Sequence, residues 1–211
     1  FANERAEAAG VADKVRFELI DYRDVAGTFD RITSVGMIEH VGARHFGEYF
    51  AKTHDLLAED GIMLTHTIGR VGPPGSTDKW TRKYVFPGGY IPAMSELVTA
   101  LEDNAWLISD IEVLRTHYAY TLAEWYRRTC QHEAEITALY DQRLFRMWQF
   151  YLAGAEQAFR NADMVNFQIQ SVKSADVLPL TRDYMGEDAA RLRAAEIAPR
   201  WHLEEHREAA E

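Results

Sequence analysis

The chain holds a single cysteine, Cys130, in 211 residues. That excludes an internal disulfide, and without a C-x-x-C pair there is no thiolate cage for a metal. Positive charge is scarce as well. Lys and Arg number 23 against 33 Asp and Glu, a formal net charge of -10. This balance excludes a general nucleic-acid binder and strong global attraction to an anionic membrane, but leaves room for a local basic patch. No apolar run nears the roughly 18 residues of a spanning helix. No signal-peptide pattern, internal repeat or low-complexity tract is visible, and a reducing compartment, the cytoplasm, is the expected location. What is present is ordinary for a globular protein: 47% hydrophobic and 27% charged residues, enough for one α/β domain with a sizeable core.

Phe1 to Ala9 reads as the later turns of a helix, with Gly10 as its C-terminal cap. This helix opens without Met and without a capping residue, so the sequence reads as part of a longer chain. Lys14 to Ile20 alternates and predicts a strand; Asp21 to Asp24 is a polar loop. Phe29 to Val35 is the next strand. Arg44 to Leu57 is an amphipathic helix with Phe46, Tyr49, Phe50 and Leu57 on one side, and Ala58 to Gly61 is the turn out of it. Gly61 to Thr67 is a third strand. Strand, helix, strand in this order predicts a right-handed crossover and a parallel sheet. Gly69 to Tyr90 reads as a loop whose second half, from Lys79, is basic and aromatic. Pro92 to Asp103 predicts a helix with Pro at its start, Trp106 to Leu114 a strand, Thr121 to Thr129 and Glu133 to Phe159 helices, and Phe167 to Val172 a last strand. From Asp176 the chain is charged and Ala-rich, a loosely attached helix or tail.

Chemistry concentrates at two strand ends. The run Phe29 to Gly42 ends in a Gly turn that delivers Glu39 and His40; the run Gly61 to Gly69 carries His66. In a parallel α/β sheet ligands sit beyond the carboxyl ends of the strands. An acid and an imidazole converging there point to proton handling. Each residue also has a structural explanation. His66, inside an apolar run, needs only a hydrogen-bond partner, and Glu39 is placed to cap the following helix. The aromatic residues Trp125, Tyr126, Tyr140, Phe145, Trp148, Phe150, Tyr151 and Phe159 suit core packing or the lining of an apolar or cationic ligand. Lys79, Arg82 and Lys83 suit a solvated face or a phospholipid head-group contact.

With these residues in view, the chain resembles the cyclopropane-fatty-acyl-phospholipid synthase family of S-adenosylmethionine-dependent methyltransferases. The resemblance runs in order through Asp21-Tyr22-Arg23-Asp24, FDRITSVGMIEHVG (29–42), LTHTIG (64–69), KYVFPGGYIP (83–92), THYAYTLAEW (116–125) and Phe145 to Phe159, and covers residues 1–174. It implies an α/β, Rossmann-like class I methyltransferase sheet, here N-terminally truncated, with a helical insertion before the last strand. Residues 1–174 then form a partial methyltransferase domain and 175–211 a charged extension. The first strands and the Gly-rich cofactor loop lie outside these residues, so the isolated chain is expected to bind S-adenosylmethionine weakly or not at all, and to be inactive.

The implied reaction is attack of an acyl-chain double bond on the sulfonium methyl, then proton loss to a bound bicarbonate and closure of a cyclopropane ring. By motif position Glu39 and His66 hold the bicarbonate, with a backbone contact near Ile68 and with Tyr151. A family cysteine that also holds this ion lies upstream, and Cys130 is not at its position; Ser171 stands where some members carry a cysteine on the last strand. Asp21, Tyr22 and Arg23 match positions beside the adenine, Val35 the floor beneath the sulfonium, and His117 and Tyr118 a pair near the substrate channel. No metal is implied. The implied partners are acyl chains of membrane phospholipids, met peripherally at the inner face of the membrane; nucleic acid is not among them, and a homodimer is compatible. The alternatives are the same fold acting on another acceptor, a methyl-branched lipid or a small-molecule amine, and a non-catalytic remnant.

Overall fold

The structure, a computed structural model, describes residues 1–195. The elements run α1 (Ala2–Ala8), β1 (Phe29–Val35), α2 (Ile38–Val41), α3 (Phe46–Leu56), β2 (Leu57–Arg70), α4 (Lys79–Tyr84), α5 (Met94–Glu102), β3 (Leu107–Val113), α6 (His117–Gln131), α7 (Glu133–Leu139), α8 (Gln142–Asn161), β4 (Met164–Val172) and α9 (Asp183–Ala195). They fall into two compact units, Phe1–Val25 with residues 178–195, and Ala26–Val177.

In the smaller unit α1 ends as expected, with Gly10 at a left-handed φ of 68°. The strand expected over Lys14–Ile20 does not form. The segment lies outside any ladder, and Phe17, Leu19 and Ile20 are exposed. An extended segment becomes a strand only when a neighbour takes its backbone groups. Here the Asn3 side chain does so at one residue, donating to the Phe17 carbonyl at 3.1 Å and accepting from its N–H at 2.9 Å. Tyr22–Asp24 is a single 3₁₀ turn, capped by the Asp21 carboxylate. Of the C-terminal extension, a 3₁₀ turn over Ala175–Val177 and α9 are described; its last part, 196–211, lies outside the described residues.

The larger unit is a mixed sheet in the order β1-β2-β4-β3. β1 and β2 are parallel, as the strand–helix–strand order requires, and β4 is antiparallel to both β2 and β3. The turn expected over Ala58–Gly61 is absorbed into β2 as an irregularity: Phe29 faces Leu57 but Arg31 faces Ile62. Pro92 precedes α5 and does not open it, because Ala93 is the N-cap and the Glu96 carboxylate accepts its N–H at 2.8 Å. Part of the loop expected over 69–90 is helical: the Asp78 carboxylate accepts from the N–H groups of Trp80 and Thr81 and starts α4. The helix expected over Glu133–Phe159 is two helices, since Asp141 caps Leu144 N–H at 2.6 Å and begins α8.

Two packings hold this unit. Ala119 and Leu122 of α6 interlock with Leu152 and Phe159 of α8, with Ile68 of β2 packed against them. Elsewhere Phe46, Tyr49 and Phe50 of α3, Leu97 and Leu101 of α5 and Trp106 are all buried. The Trp106 indole N–H donates to the Phe50 carbonyl at 3.0 Å, so this large ring is buried with its polar atom satisfied.

Candidate active site

β1 stops before β2 does. Its last residue, Val35, faces His66, and Gly36, at φ 63°, turns the chain away while its N–H donates to the His66 carbonyl at 3.0 Å. β2 continues to Arg70, so the Ile68 N–H lies beyond the end of β1 with no strand to receive it. The one-turn helix α2 puts Glu39 there. Its Oε1 accepts the Ile68 N–H at 2.8 Å, and the residue is 7% exposed. Glu39 therefore completes a strand end and does not cap a helix. Its own carbonyl accepts from Tyr90 N–H at 2.8 Å, which ties the loop after α4 to the same place. Oε2 is buried and meets no hydrogen-bond donor among the described residues. A buried carboxylate oxygen in that state is a ready acceptor for a ligand donor.

Glu39 lines a cavity of about 790 Å³ whose walls are mostly apolar, among them Ile68, Phe86, Tyr118, Phe150, Tyr151 and Phe159. Tyr151 packs against Phe86 and Trp148 at ring-centroid distances of 5.8 and 5.2 Å; Tyr118 packs against Phe159 at 5.2 Å. Burial pushes the Tyr118 hydroxyl above its usual range, and the Glu39 carboxylate adds to that. Burial also pushes Tyr151 up to about 12, with Tyr118 contributing. Both phenols stay protonated near neutral pH, as hydrogen-bond donors in a mostly apolar room that also holds the Glu39 carboxylate.

The sequence matches the family described as mycolic acid cyclopropane synthetase over residues 1–169. The chain belongs to the mycolic acid cyclopropane synthetase family. It is similar to the cyclopropane-fatty-acyl-phospholipid synthase of Escherichia coli (strain K12), with 37% identity over 168 residues, which are 80% of this chain and 43% of that one. It is similar to the tuberculostearic acid methyltransferase of Mycobacterium tuberculosis, with 36% identity over 79% of this chain and 40% of the relative. The chain thus spans less than half the length of these relatives. Among solved structures, a mycolic acid cyclopropane synthase in complex with SAH and CTAB aligns with a TM-score of 0.72 at 25% identity, covering 81% of this chain and 65% of the other. The family's members and structural neighbours are S-adenosylmethionine-dependent methyltransferases, and the α/β fold expected from the sequence is theirs.

Of the residues expected at a cyclopropane-synthetase-type site, the structure brings Glu39, Tyr151 and Tyr118 to one cavity. His66 lies two residues before Ile68, on the same face of β2, but does not reach the cavity wall. His117 and Tyr118 part company. Adjacent helical side chains diverge, so Tyr118 enters the cavity while His117 is exposed outside it. Val35 is 66% exposed and is not in the cavity wall, which its neighbour Gly36 joins instead. Asp21, Tyr22 and Arg23 belong to the smaller unit. There the Arg23 guanidinium bonds both Asp21 oxygens at 3.0 and 2.7 Å and holds that carboxyl down at about 2, while also lying 5.9 Å from the centre of the Tyr22 ring. Cys130 is exposed, and accepts from the Gln149 amide at 3.3 Å. Ser171 is fully buried, its hydroxyl unpaired among the described residues.

One residue of the site escaped sequence reasoning. Asn166 of β4 is 3% exposed, sits opposite Ile68 in the antiparallel ladder, and points its Nδ2 at the His66 Nε2, 3.4 Å away. This contact ties the ring of His66 to β4. No local pattern marks Asn166; only the pairing of β2 with β4 does.

Proposed function

We propose that this chain forms the acceptor side of an enzyme that transfers a methyl group from S-adenosylmethionine to the double bond of an unsaturated phospholipid acyl chain and closes a cyclopropane ring. In this reading the Gly-rich cofactor loop is supplied outside these 211 residues, in the full-length polypeptide. One observation carries the reading: a mostly apolar cavity that holds a buried strand-end carboxylate with an open oxygen and the two protonated phenols of Tyr118 and Tyr151. The names of the relatives support the lipid acceptor.

The residues fit the two implied small molecules unequally. The open Oε2 of Glu39 suits bicarbonate, which carries one O–H to donate, and Tyr151 has a phenol O–H to give in return. His66, held by Asn166, stands next in line on the same sheet face. Tyr22 offers a ring face for an adenine. When bound, S-adenosylmethionine supplies an electrophilic methyl group and bicarbonate a base.

The chain's own contribution is fourfold. Apolar walls exclude water that would capture a carbocation. The rings of Phe86, Tyr118 and Tyr151 present π faces that stabilise positive charge without bonding to it. The two phenols remain protonated, so neither is a phenolate nucleophile. Glu39 is fixed in advance by Ile68, which removes reorganisation from the reacting step.

Relatives named methyltransferases, among them a probable fatty acid methyltransferase of Pseudomonas putida 35% identical over 86% of this chain, favour a second reading in which methylation ends without ring closure. Incubating the full-length polypeptide with S-adenosylmethionine and unsaturated phospholipid vesicles tests both. Upfield cyclopropyl protons in the product establish the first reading, and a branched or methylene product the second. No lipid methylation at all rejects them.

A further inference from the structure

We propose that Arg143 and Arg146, with Trp80, Tyr84 and Phe150, form a docking surface for the phosphate layer of an anionic lipid bilayer at the mouth of the apolar cavity. These five residues and Met147 line a shallow groove of about 420 Å³. Trp80 and Phe150 line the groove and the large cavity alike, their rings in an edge contact at 4.9 Å. One step through this pair leads from cations to apolar walls. That is the order of polarity in half a bilayer, with phosphates outside and acyl chains beneath.

The charge on this face runs against the rest of the molecule. Beside the two arginines of α8, α4, which gives the groove Trp80 and Tyr84, carries three further exposed cations, Lys79, Arg82 and Lys83, in a chain whose net charge is -10. None of the five has a carboxylate within 4.0 Å among the described residues. The two acids flanking these segments are engaged by backbone: Asp78 caps α4 and Asp141 caps α8. Lys83 leans on the Tyr84 ring, its ammonium 4.9 Å from the centre. Phe150 is 64% exposed and Tyr84 40%. On α8, Arg143, Met147 and Phe150 follow at helical spacing and share a face. Arginine and lysine interleaved with Trp, Tyr and Phe is the composition of a membrane–water interface. Among the described residues no helix is long and apolar enough to cross a membrane, so the contact is with its surface. An acidic carrier protein would answer the arginines alone. The bilayer answers the arginines, the exposed rings and the cavity behind them.

The proposal rests on the acyl-chain reading for the cavity's contents, but its test reads binding and not turnover. The full-length polypeptide is sedimented with vesicles of phosphatidylcholine alone and of phosphatidylcholine mixed equally with phosphatidylglycerol. It is expected to bind the anionic vesicles and to be released by salt. Arg143→Gln with Arg146→Gln is expected to weaken that binding about thirtyfold, two charges' worth, while the paired Lys substitutions retain most of it. Tryptophan emission is expected to shift to the blue on the vesicles, and to shift less in Trp80→Phe. Glu39→Gln is expected to bind like the parent whatever happens to the reaction, so failure of the surface and failure of the methyl transfer are told apart. Equal binding to both vesicle types, salt-resistant binding or an unaffected Gln variant would overturn the proposal. So would inorganic phosphate that competes as well as lipid phosphate, or retention by an acidic carrier protein but not by anionic vesicles.

Discussion

The inner end of the cavity and its mouth treat charge in opposite ways. Inside, the carboxylate of Glu39 is buried and fixed at one oxygen by the Ile68 N–H. At the groove that shares Trp80 and Phe150 with the cavity there are two cations, Arg143 and Arg146, solvated and without carboxylate partners among the described residues. The difference follows from desolvation. A buried ion is tolerated only where fixed dipoles replace its water, whereas an exposed cation keeps its water and stays free to meet a ligand. The inner end is built for a single geometry, as chemistry requires. The mouth is built to adapt, as a fluid surface requires.

The sharpest break of this contrast is Glu39→Gln. The amide keeps the size of the side chain and can still accept from Ile68. It then turns an NH₂ toward the place where Oε2 waits for a donor. In the full-length polypeptide, loss of one preorganised contact of this kind is expected to lower lipid methylation roughly a hundredfold or more, with the affinity for S-adenosylmethionine little changed. Turnover near that of the parent would leave Glu39 as a strand-end clamp and nothing more. At the mouth, neutralising Arg143 and Arg146 is the next largest effect, about thirtyfold in vesicle binding, and it is expected to leave the fold intact because both side chains are solvated.

What the amino-acid pattern could and could not say is clearest in two stretches that look alike. Lys14–Ile20 and Gly61–Thr67 both read as strands, yet only the second is one, because it lies between β1 and β4. Periodicity encodes which side chains share a face; a ladder needs a second chain segment, and that is not local information. The parallel crossover and the strands β1, β3 and β4 were legible from their apolar and β-branched residues, although of these three only β4 is largely buried among the described residues. The break between α7 and α8 and the start of α4 rest on single aspartates, Asp141 and Asp78, easily passed over among other polar residues. At the site, Glu39 and Tyr151 were legible through their motifs. Asn166 was not, since its proximity to His66 spans 100 residues.

Asn166→Leu sharpens the inner side of the comparison at smaller cost. Leucine approximates the volume of the amide but removes the donor to His66 Nε2, whose worth of about one hydrogen bond predicts up to roughly a tenfold loss of turnover. Asn166 is a positioning residue, so rate alone does not decide its role. The ¹⁵N shifts of His66 are expected to move as its ring loses the Asn166 contact. Unmoved shifts with a reduced rate would assign the loss to packing around β4 instead.

The smallest effect concerns Tyr151 and is read in stability. Its hydroxyl is raised from 10.0 to about 12, first by burial and then by Tyr118. A raised pKa means that the folded state holds its proton more tightly than the unfolded chain does. The resulting stabilisation is complete below pH 10 and is lost as pH rises toward about 12, where the folded group ionises too. Tyr90, raised to about 12 by burial and by its hydrogen bond to Glu96, titrates in the same window and supplies the background. Tyr151→Phe keeps the ring contacts with Phe86 and Trp148 but has nothing to ionise. In urea unfolding measured from pH 9 to 12, the parent is expected to lose stability more steeply than Tyr151→Phe, and the two curves to run parallel below pH 9. Parallel curves across the whole range would mean that the Tyr151 hydroxyl meets water as an ordinary phenol does. The inner end of the cavity would then be wet, and a wet cavity lacks the shelter that a carbocation on the acyl chain needs.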